Sequence, residues 1–245
     1  MKTGKTVLVT GSSRGIGYQI AALFAEAGYN VVLNCINNTS LMNEAVRKFK
    51  DVNPNVIGIQ CDVSDYKQCM SMFLQIEQVF GSVDILINNA GISSFGLFGM
   101  TNENEWRKMV EANLYSVMNC SHIAIEKMVT NKSGRILNIS SIWGNVGASC
   151  EVAYSTAKAA VNGFTKALAK ELAPSGIQVN AIACGAVETD MNNRLTHEEK
   201  KELEQSIPIG RFCKPEEIAK LAFSTCTEST TYLTGQIITV DGGLT

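Results

Sequence analysis

A tyrosine and a lysine four residues apart, Tyr154 and Lys158 in the run CEVAYSTAKAAVNGFTKALAKEL, are the pair in this chain best suited to proton chemistry. On a helix that spacing puts both on one face, roughly 6 Å apart along the axis. Free tyrosine titrates at about 10, too high for efficient acid-base work at neutral pH unless a neighbouring cation favours its phenolate. A unit charge at about 4 Å, in an effective dielectric of about 20, contributes roughly 4 kcal/mol, on the order of three pKa units. Lys158 is placed to be that cation, and a phenol so tuned works as a general acid or base near neutrality. The same spacing also occurs in ordinary helix pairs, so the assignment rests on what else the chain carries.

A second group of residues suits an anion. TGSSRGIG, Thr10 to Gly17, follows an apolar strand and opens a helix. Gly11, Gly15 and Gly17 let the backbone turn and approach a ligand. The amides of Ser13, Arg14 and Ile16, at the positive end of the helix, favour a pyrophosphate. The spacing is Gly-x-x-x-Gly-x-Gly, not the commoner Gly-x-Gly-x-x-Gly, and no Gly-Lys-Ser/Thr follows to make a P-loop. About 20 residues past the last glycine, NAD-preferring sites carry a carboxylate on the ribose 2′-hydroxyl. Here the second strand ends NCINNTS, Asn34 to Ser40, with no acid before Glu44. A 2′-phosphate would meet no repelling charge beside Asn34, and Arg14 could pair with it, so NADP(H) is the expected cofactor. Asp62, followed by Val63 in CDVS, is placed either to reach the adenine amine or to cap the helix that starts at Asp65.

These residues need a scaffold, and the apolar pattern supplies one. TVLVT (6 to 10), VVLN (31 to 34), VIGIQ (56 to 60), DILIN (84 to 88), RILNIS (135 to 140), IQVNAI (177 to 182) and QIITV (236 to 240) read as strands, most of them apolar on both faces. Such strands belong to a parallel sheet covered on both sides. Helical patterns lie between them near 15 to 28, 41 to 50, 65 to 80, 103 to 130 and 154 to 173, with two more at 196 to 206 and 215 to 226. The alternation predicts an α/β Rossmann fold: a doubly wound, seven-stranded parallel sheet with helices on both faces, a single domain over 1–245. Ligands of such sheets bind beyond the carboxyl ends of the strands, where each candidate above falls.

Composition excludes other classes. Of 245 residues, 45% are hydrophobic and 18% charged, with a net charge of −2 and no basic run, which argues against a nucleic-acid partner. The apolar stretches are strand-sized, so no membrane span is expected, and the N-terminus reads as a strand and turn rather than a leader; the expected location is cytoplasmic. Eight cysteines, at 35, 61, 69, 120, 150, 184, 213 and 226, form no C-x-x-C, and with two histidines no zinc grouping is expected. They read as reduced, mostly structural thiols.

With TGSSRGIG, NNAG at 88 to 91, Asn113, Ser141 and YSTAK in hand, the chain resembles the short-chain dehydrogenase/reductases, collinearly from residue 5 to the closing VDGGLT. DILINNAG, ETDM at 188 to 191 and the terminal DGG make it most similar to the 3-oxoacyl-[acyl-carrier-protein] reductases. The resemblance implies a catalytic tetrad of Asn113, Ser141, Tyr154 and Lys158. Tyr154 would protonate the substrate oxygen as the nicotinamide delivers hydride, and Ser141 would hydrogen-bond the same oxygen. Lys158 would bind the nicotinamide ribose and depress the tyrosine pKa, and Asn113, through its main chain, would hold a water linking Lys158 to solvent. Asn88, Asn89, Ala90 and Gly91 would line the cofactor cleft and steady the central strand. Gly185, Val187 and Thr189 would continue that cleft, Thr189 bonding the carboxamide. One departure is Cys184-Gly185, where the family has Pro-Gly: a cysteine is expected to loosen the turn and add a donor. A redox-sensitive role for Cys184 is a further reading.

The resemblance also implies a substrate lid at about 188–212. SSFGLF at 93 to 98, Trp143 and Val146 suit an apolar substrate wall or ordinary packing. An acidic carrier protein wants cations at the cleft, and Lys127, Lys132 and Arg135 offer some, although Ser175 stands where such reductases tend to carry a basic residue. The expected reaction is NADPH-dependent reduction of a 3-oxoacyl group on its carrier protein, in fatty acid biosynthesis. A free ketone, acetoacetyl-CoA or a hydroxysteroid is the alternative substrate. A non-catalytic NADP-binding relative would commonly lack the tyrosine or lysine kept here. Relatives of this kind form homotetramers with helices 103–130 and 154–173 across a two-fold axis, where Ala157, Ala160 and Gly163 would allow close approach.

Overall fold

The computed structural model describes residues 4–192, 195–227 and 231–245, so Asn193 and Arg194 of the expected lid lie outside the described residues. Seven strands form one sheet: β1 (Thr6–Val9), β2 (Asn30–Cys35), β3 (Val56–Gln60), β4 (Ile85–Asn88), β5 (Gly134–Ser141), β6 (Ile177–Cys184) and β7 (Ile237–Val240). Their order is β3-β2-β1-β4-β5-β6-β7, every pairing parallel. The direction of winding reverses between β1 and β4, and a crevice opens there beyond the strand ends.

Two helical layers cover the sheet. Helices α1 (Gly15–Glu26) and α2 (Thr39–Lys50) lie on one face, and α3 (Tyr66–Phe80) on the other. Helices α4 (Glu103–Val110) and α5 (Ser116–Asn131) follow β4, a short α6 (Trp143–Val146) follows β5, and α7 (Val152–Leu172) leads into β6. Helices α8 (His197–Ser206) and α9 (Pro215–Thr227) precede β7. Strand alternation divides the core. Val7 and Val9 of β1 pack with Phe24, Phe49 and Ile218, whereas Leu8 between them joins Met72, Met128 and Leu168 on the opposite face.

The elements follow the expected pattern with two refinements. The single helix read over 103 to 130 is divided by a π-helical turn, Glu111–Tyr115, closed by the Ser116 amide donating to the Glu111 carbonyl. The residue this turn buries is the polar Asn113. The α6 turn was not anticipated either. Gly144 lets it approach α7: a Cβ there would sit 2.7 Å from the backbone carbon of Lys158.

Candidate active site

The site builds outward from Lys158. Its Nζ donates to the carbonyl of Ile139 on β5 at 2.8 Å and lies 5.7 Å from the centre of the Tyr154 ring. Only 5% of Lys158 and 9% of Tyr154 is exposed, so the cation is held out of water against the aromatic ring. Burial pushes the ammonium down to about 8. Helix α7 is thus fastened to β5 at the turn that carries Tyr154 and Lys158. Ser140 strengthens the joint, donating to Asn162 Oδ1 at 2.6 Å, while Asn162 Nδ2 donates to Asn145 Oδ1 at 2.9 Å.

Ser141 closes β5, two residues beyond the carbonyl that holds Lys158, and its Oγ accepts the Trp143 amide at 3.2 Å. Asn113 sits within the π-helical turn, fully buried. Its Nδ2 donates to the carbonyls of Ile92 at 2.8 Å and Met109 at 2.9 Å, and its Oδ1 has no partner. A Cβ on Gly91 would lie 2.6 Å from that Oδ1 and 3.7 Å from Lys158 Nζ. Gly91 is therefore the gap through which β4, the π turn and the lysine meet.

The glycine loop is held by the side chains of Thr10 and Asn89. The hydroxyl of Thr10 accepts the amides of Asn89 and Ala90, each at 3.0 Å, and Asn89 Nδ2 returns bonds to the carbonyls of Thr10 at 2.9 Å and Gly11 at 3.0 Å. Close approach demands glycine here: a Cβ on Gly17 would meet Asn89 Nδ2 at 2.5 Å, and one on Gly11, where φ is +61°, would meet Ala90 Cα at 2.8 Å. The first turn of α1 carries no acidic residue, and no side chain caps it at Arg14. An uncapped twelve-residue helix start behind a glycine loop fits a nucleotide pyrophosphate. Ser13 and Gly15 are partly exposed on this loop, and Ile16 packs on the core beneath it.

Other expected cofactor residues fall in different places. Asn34 is buried: its Oδ1 accepts the Gly11 amide at 3.2 Å, and its Nδ2 donates to the carbonyls of Ile59 at 3.3 Å and Cys61 at 3.0 Å. Its side chain ties the glycine loop to β3 instead of facing the cleft. Asn88 points away as well, donating to Ser121 Oγ at 3.1 Å and Asn138 Oδ1 at 2.9 Å. It steadies the central strand and does not line the cleft, a role Asn89 takes. Asp62 does not cap α3. Its Oδ1 accepts the Ser64 amide and hydroxyl at 2.9 and 2.7 Å, and Asp65 caps the helix by accepting the amides of Lys67 and Gln68. Val63 is buried behind it.

Cys184 is the last residue of β6, with Ser141 and Val240 as its neighbours in the sheet. Its carbonyl accepts the Ile142 amide at 3.0 Å, and the Gly185 amide donates to the Val240 carbonyl at 2.9 Å. Burial drives the Cys184 thiol up to about 12, opposed by the nearby Lys158 cation. Val187 pairs with Cys213, and Thr189 packs 3.5 Å from where a Cβ of Gly15 would be. Arg14 is engaged by Asp190, Nη1 to Oδ2 at 2.9 Å.

An apolar rim surrounds the opening: Phe95, Leu97, Phe98 and Val146 are all at least half exposed. A small pocket beside Tyr154 is lined by Gly96, Phe98, Trp106, Cys150 and Glu151. The cations expected to dock a carrier protein lie elsewhere. Arg135 is the second residue of β5 and Ser141 closes it, about 20 Å away at roughly 3.3 Å per residue. Lys132 ends α5 beside it, and Lys127 is paired with Glu77 at 2.6 Å. Sequence reasoning missed Thr10, Gly144 and the Ile139 carbonyl. The first two stand beside recognised motifs, and a carbonyl leaves no signal at all.

Among the described residues, no helix is long and apolar enough to cross a membrane, and no cluster of His, Cys, Asp and Glu could hold a metal. The family described as Enoyl-(Acyl carrier protein) reductase matches residues 11–245. The chain is 42% identical over 240 residues to the Uncharacterized oxidoreductase YmfI of Bacillus subtilis, covering 98% of each. It is 39% identical over 244 residues to the 3-oxoacyl-[acyl-carrier-protein] reductase FabG of Staphylococcus aureus, covering 100% of this chain and 99% of that one. A crystal structure of a putative gluconate dehydrogenase from Agrobacterium tumefaciens superposes with a TM-score of 0.94 at 32% identity, over 98% of this chain and 96% of that one. A full-length match of this depth, on a seven-stranded parallel sheet that brings Tyr154 and Lys158 to the crevice, places the chain in the short-chain dehydrogenase/reductase family as an NAD(P)-dependent oxidoreductase.

Proposed function

We propose that the protein reduces a 3-oxoacyl thioester, carried on acyl carrier protein, to the 3-hydroxyacyl thioester with NADPH. The observation that carries this reading is the buried Lys158 ammonium against the Tyr154 ring, beside an uncapped glycine-loop helix. Gly11, Ser13, Arg14, Gly15, Ile16 and Gly17 hold the nucleotide phosphates, with Asn34 fixing the loop from behind. Asp62 and Val63 border the adenine, and Asn89, Ala90, Gly91, Gly185, Val187 and Thr189 border the nicotinamide half. When bound, that cofactor supplies the hydride that reduces the carbonyl carbon.

The chain itself handles the oxygen and the proton. Tyr154 gives its phenolic proton to the substrate oxygen, and Ser141 donates a hydrogen bond to that oxygen as charge grows on it. Lys158 stabilises the resulting phenolate, and Asn113, held in the π turn, positions the water through which the proton is replaced. Segment 188–212 acts as a lid that excludes bulk water. The exposed Phe95, Leu97 and Phe98 suit an acyl chain. We further infer a cytoplasmic homotetramer of single-domain subunits.

A second reading, reduction of a free ketone, a coenzyme A thioester or a hydroxysteroid, is favoured by one observation: within a subunit, Lys132 and Arg135 stand at the amino end of β5, the opposite end of the strands from Tyr154. Comparing kcat/KM for acetoacetyl-carrier protein, acetoacetyl-CoA and a steroid ketone, each with NADPH and NADH, tests both. The carrier-protein reading predicts the highest value for acetoacetyl-carrier protein with NADPH; equal values for the two thioesters would favour the second.

A further inference from the structure

We propose that Asp190 sets how tightly the chain holds a 2′-phosphorylated nicotinamide nucleotide by competing with that phosphate for Arg14, an inference that rests on the NADPH reading above. The two side chains are 176 residues apart in sequence, yet Arg14 Nη1 lies 2.9 Å from Asp190 Oδ2. Arg14 caps the start of α1 in extended conformation, with φ at −160°, and more than half of its side chain is open to solvent. The Asn34 carbonyl accepts the Ser12 amide at 2.9 Å, which draws the end of β2 against the loop that carries Arg14. That strand end, Asn34 to Asn38, is without an acid, so Arg14 is the loop's one charged group available to a 2′-phosphate.

A carboxylate already occupies this guanidinium. A phosphate arriving there either displaces Asp190 or shares the fork with a like charge, and in both cases Asp190 opposes it. A nucleotide without the phosphate leaves the pair intact. With side-chain exposures of 57% and 55%, the ion pair is weak. Exposed pairs of this kind correspond to about a two- to fivefold change in a binding constant.

The test is fluorescence titration of NADPH and NADH into the unaltered protein, Asp190→Asn, Arg14→Ala and the double variant, at low and high salt, with folding checked by circular dichroism. We expect Asp190→Asn to tighten NADPH about two- to fivefold and leave NADH unchanged, the gain shrinking in high salt and vanishing in the Arg14→Ala background. Unchanged or weaker NADPH binding in Asp190→Asn, an equal gain for NADH, or a gain that survives without Arg14 overturns the inference. If the unaltered protein binds NADPH no tighter than NADH, the cofactor reading falls and this inference with it. If that preference is present and Asp190→Asn fails, only the role of Asp190 is lost.

Discussion

The Lys158 ammonium is anchored on the Ile139 carbonyl at 2.8 Å, which joins the middle of the active-site helix to the strand that ends in Ser141. That bond holds a cation in a place where burial lowers its pKa to about 8.

The pH dependence follows with a definite sign. Under the proposed mechanism the ammonium is the working form, so kcat/KM falls as pH rises through about 8. Stability moves the other way. The unfolded lysine titrates at 10.5, so between about 8 and 10.5 the unfolded chain holds a proton that the folded chain has released. Unfolding midpoints in urea rise with pH across that window, and Lys158→Met removes this part of the slope.

Two glycines predict opposite outcomes. In Gly144→Ala the new Cβ meets the Lys158 backbone at 2.7 Å, so α6 must lift from α7. The expected cost is about 1–3 kcal/mol in stability with a loss of activity. Gly163 has nothing within 4 Å and faces outward, whereas Ala157 and Val161 are buried inside the subunit. Gly163→Leu therefore preserves the circular dichroism spectrum and the subunit fold. If α7 pairs across a two-fold axis as proposed, sedimentation shows a smaller assembly.

Asn34→Asp keeps the size of the side chain and removes the donors that reach Ile59 and Cys61. A buried carboxylate facing two carbonyls costs about 1–3 kcal/mol or more, measured by thermal or urea unfolding. The glycine loop loses its rear support, and nucleotide binding weakens with it.

Alkylation distinguishes the thiols. Cys150 is partly exposed, while Cys184 is buried with its pKa driven to about 12. Iodoacetamide at neutral pH is expected to label Cys150 in the folded protein and Cys184 only after unfolding, which peptide mass mapping reads directly.

Much of this site is legible in the residue pattern, because short continuous apolar runs and period-3.6 repeats fix where strands end and helices begin. YSTAK, the glycine loop and Ser141 all take their positions from those boundaries. Side-chain direction is another matter. Asn34 sits where the cofactor reading puts it, yet strand alternation and the close Gly11 amide turn it into the loop's scaffold. The π turn around Asn113 is defined by a backbone bond, the Ser116 amide to the Glu111 carbonyl, which no side-chain pattern encodes. Arg14 and Asp190 meet only because the chain returns to the same, carboxyl end of the strands after 176 residues, a contact no local pattern encodes. Lys132 and Arg135, expected at the cleft, lie instead at the end of the fifth strand remote from Tyr154.

The central claim is that Tyr154 is the proton donor in carbonyl reduction. Tyr154→Phe preserves the ring against Lys158 and removes only the hydroxyl. Single-turnover reduction of acetoacetyl thioester, followed by loss of reduced-nicotinamide absorbance, should slow by about 10²- to 10⁴-fold with nucleotide binding unchanged. A Tyr154→Phe protein that reduces the thioester at the unaltered rate would contradict the account.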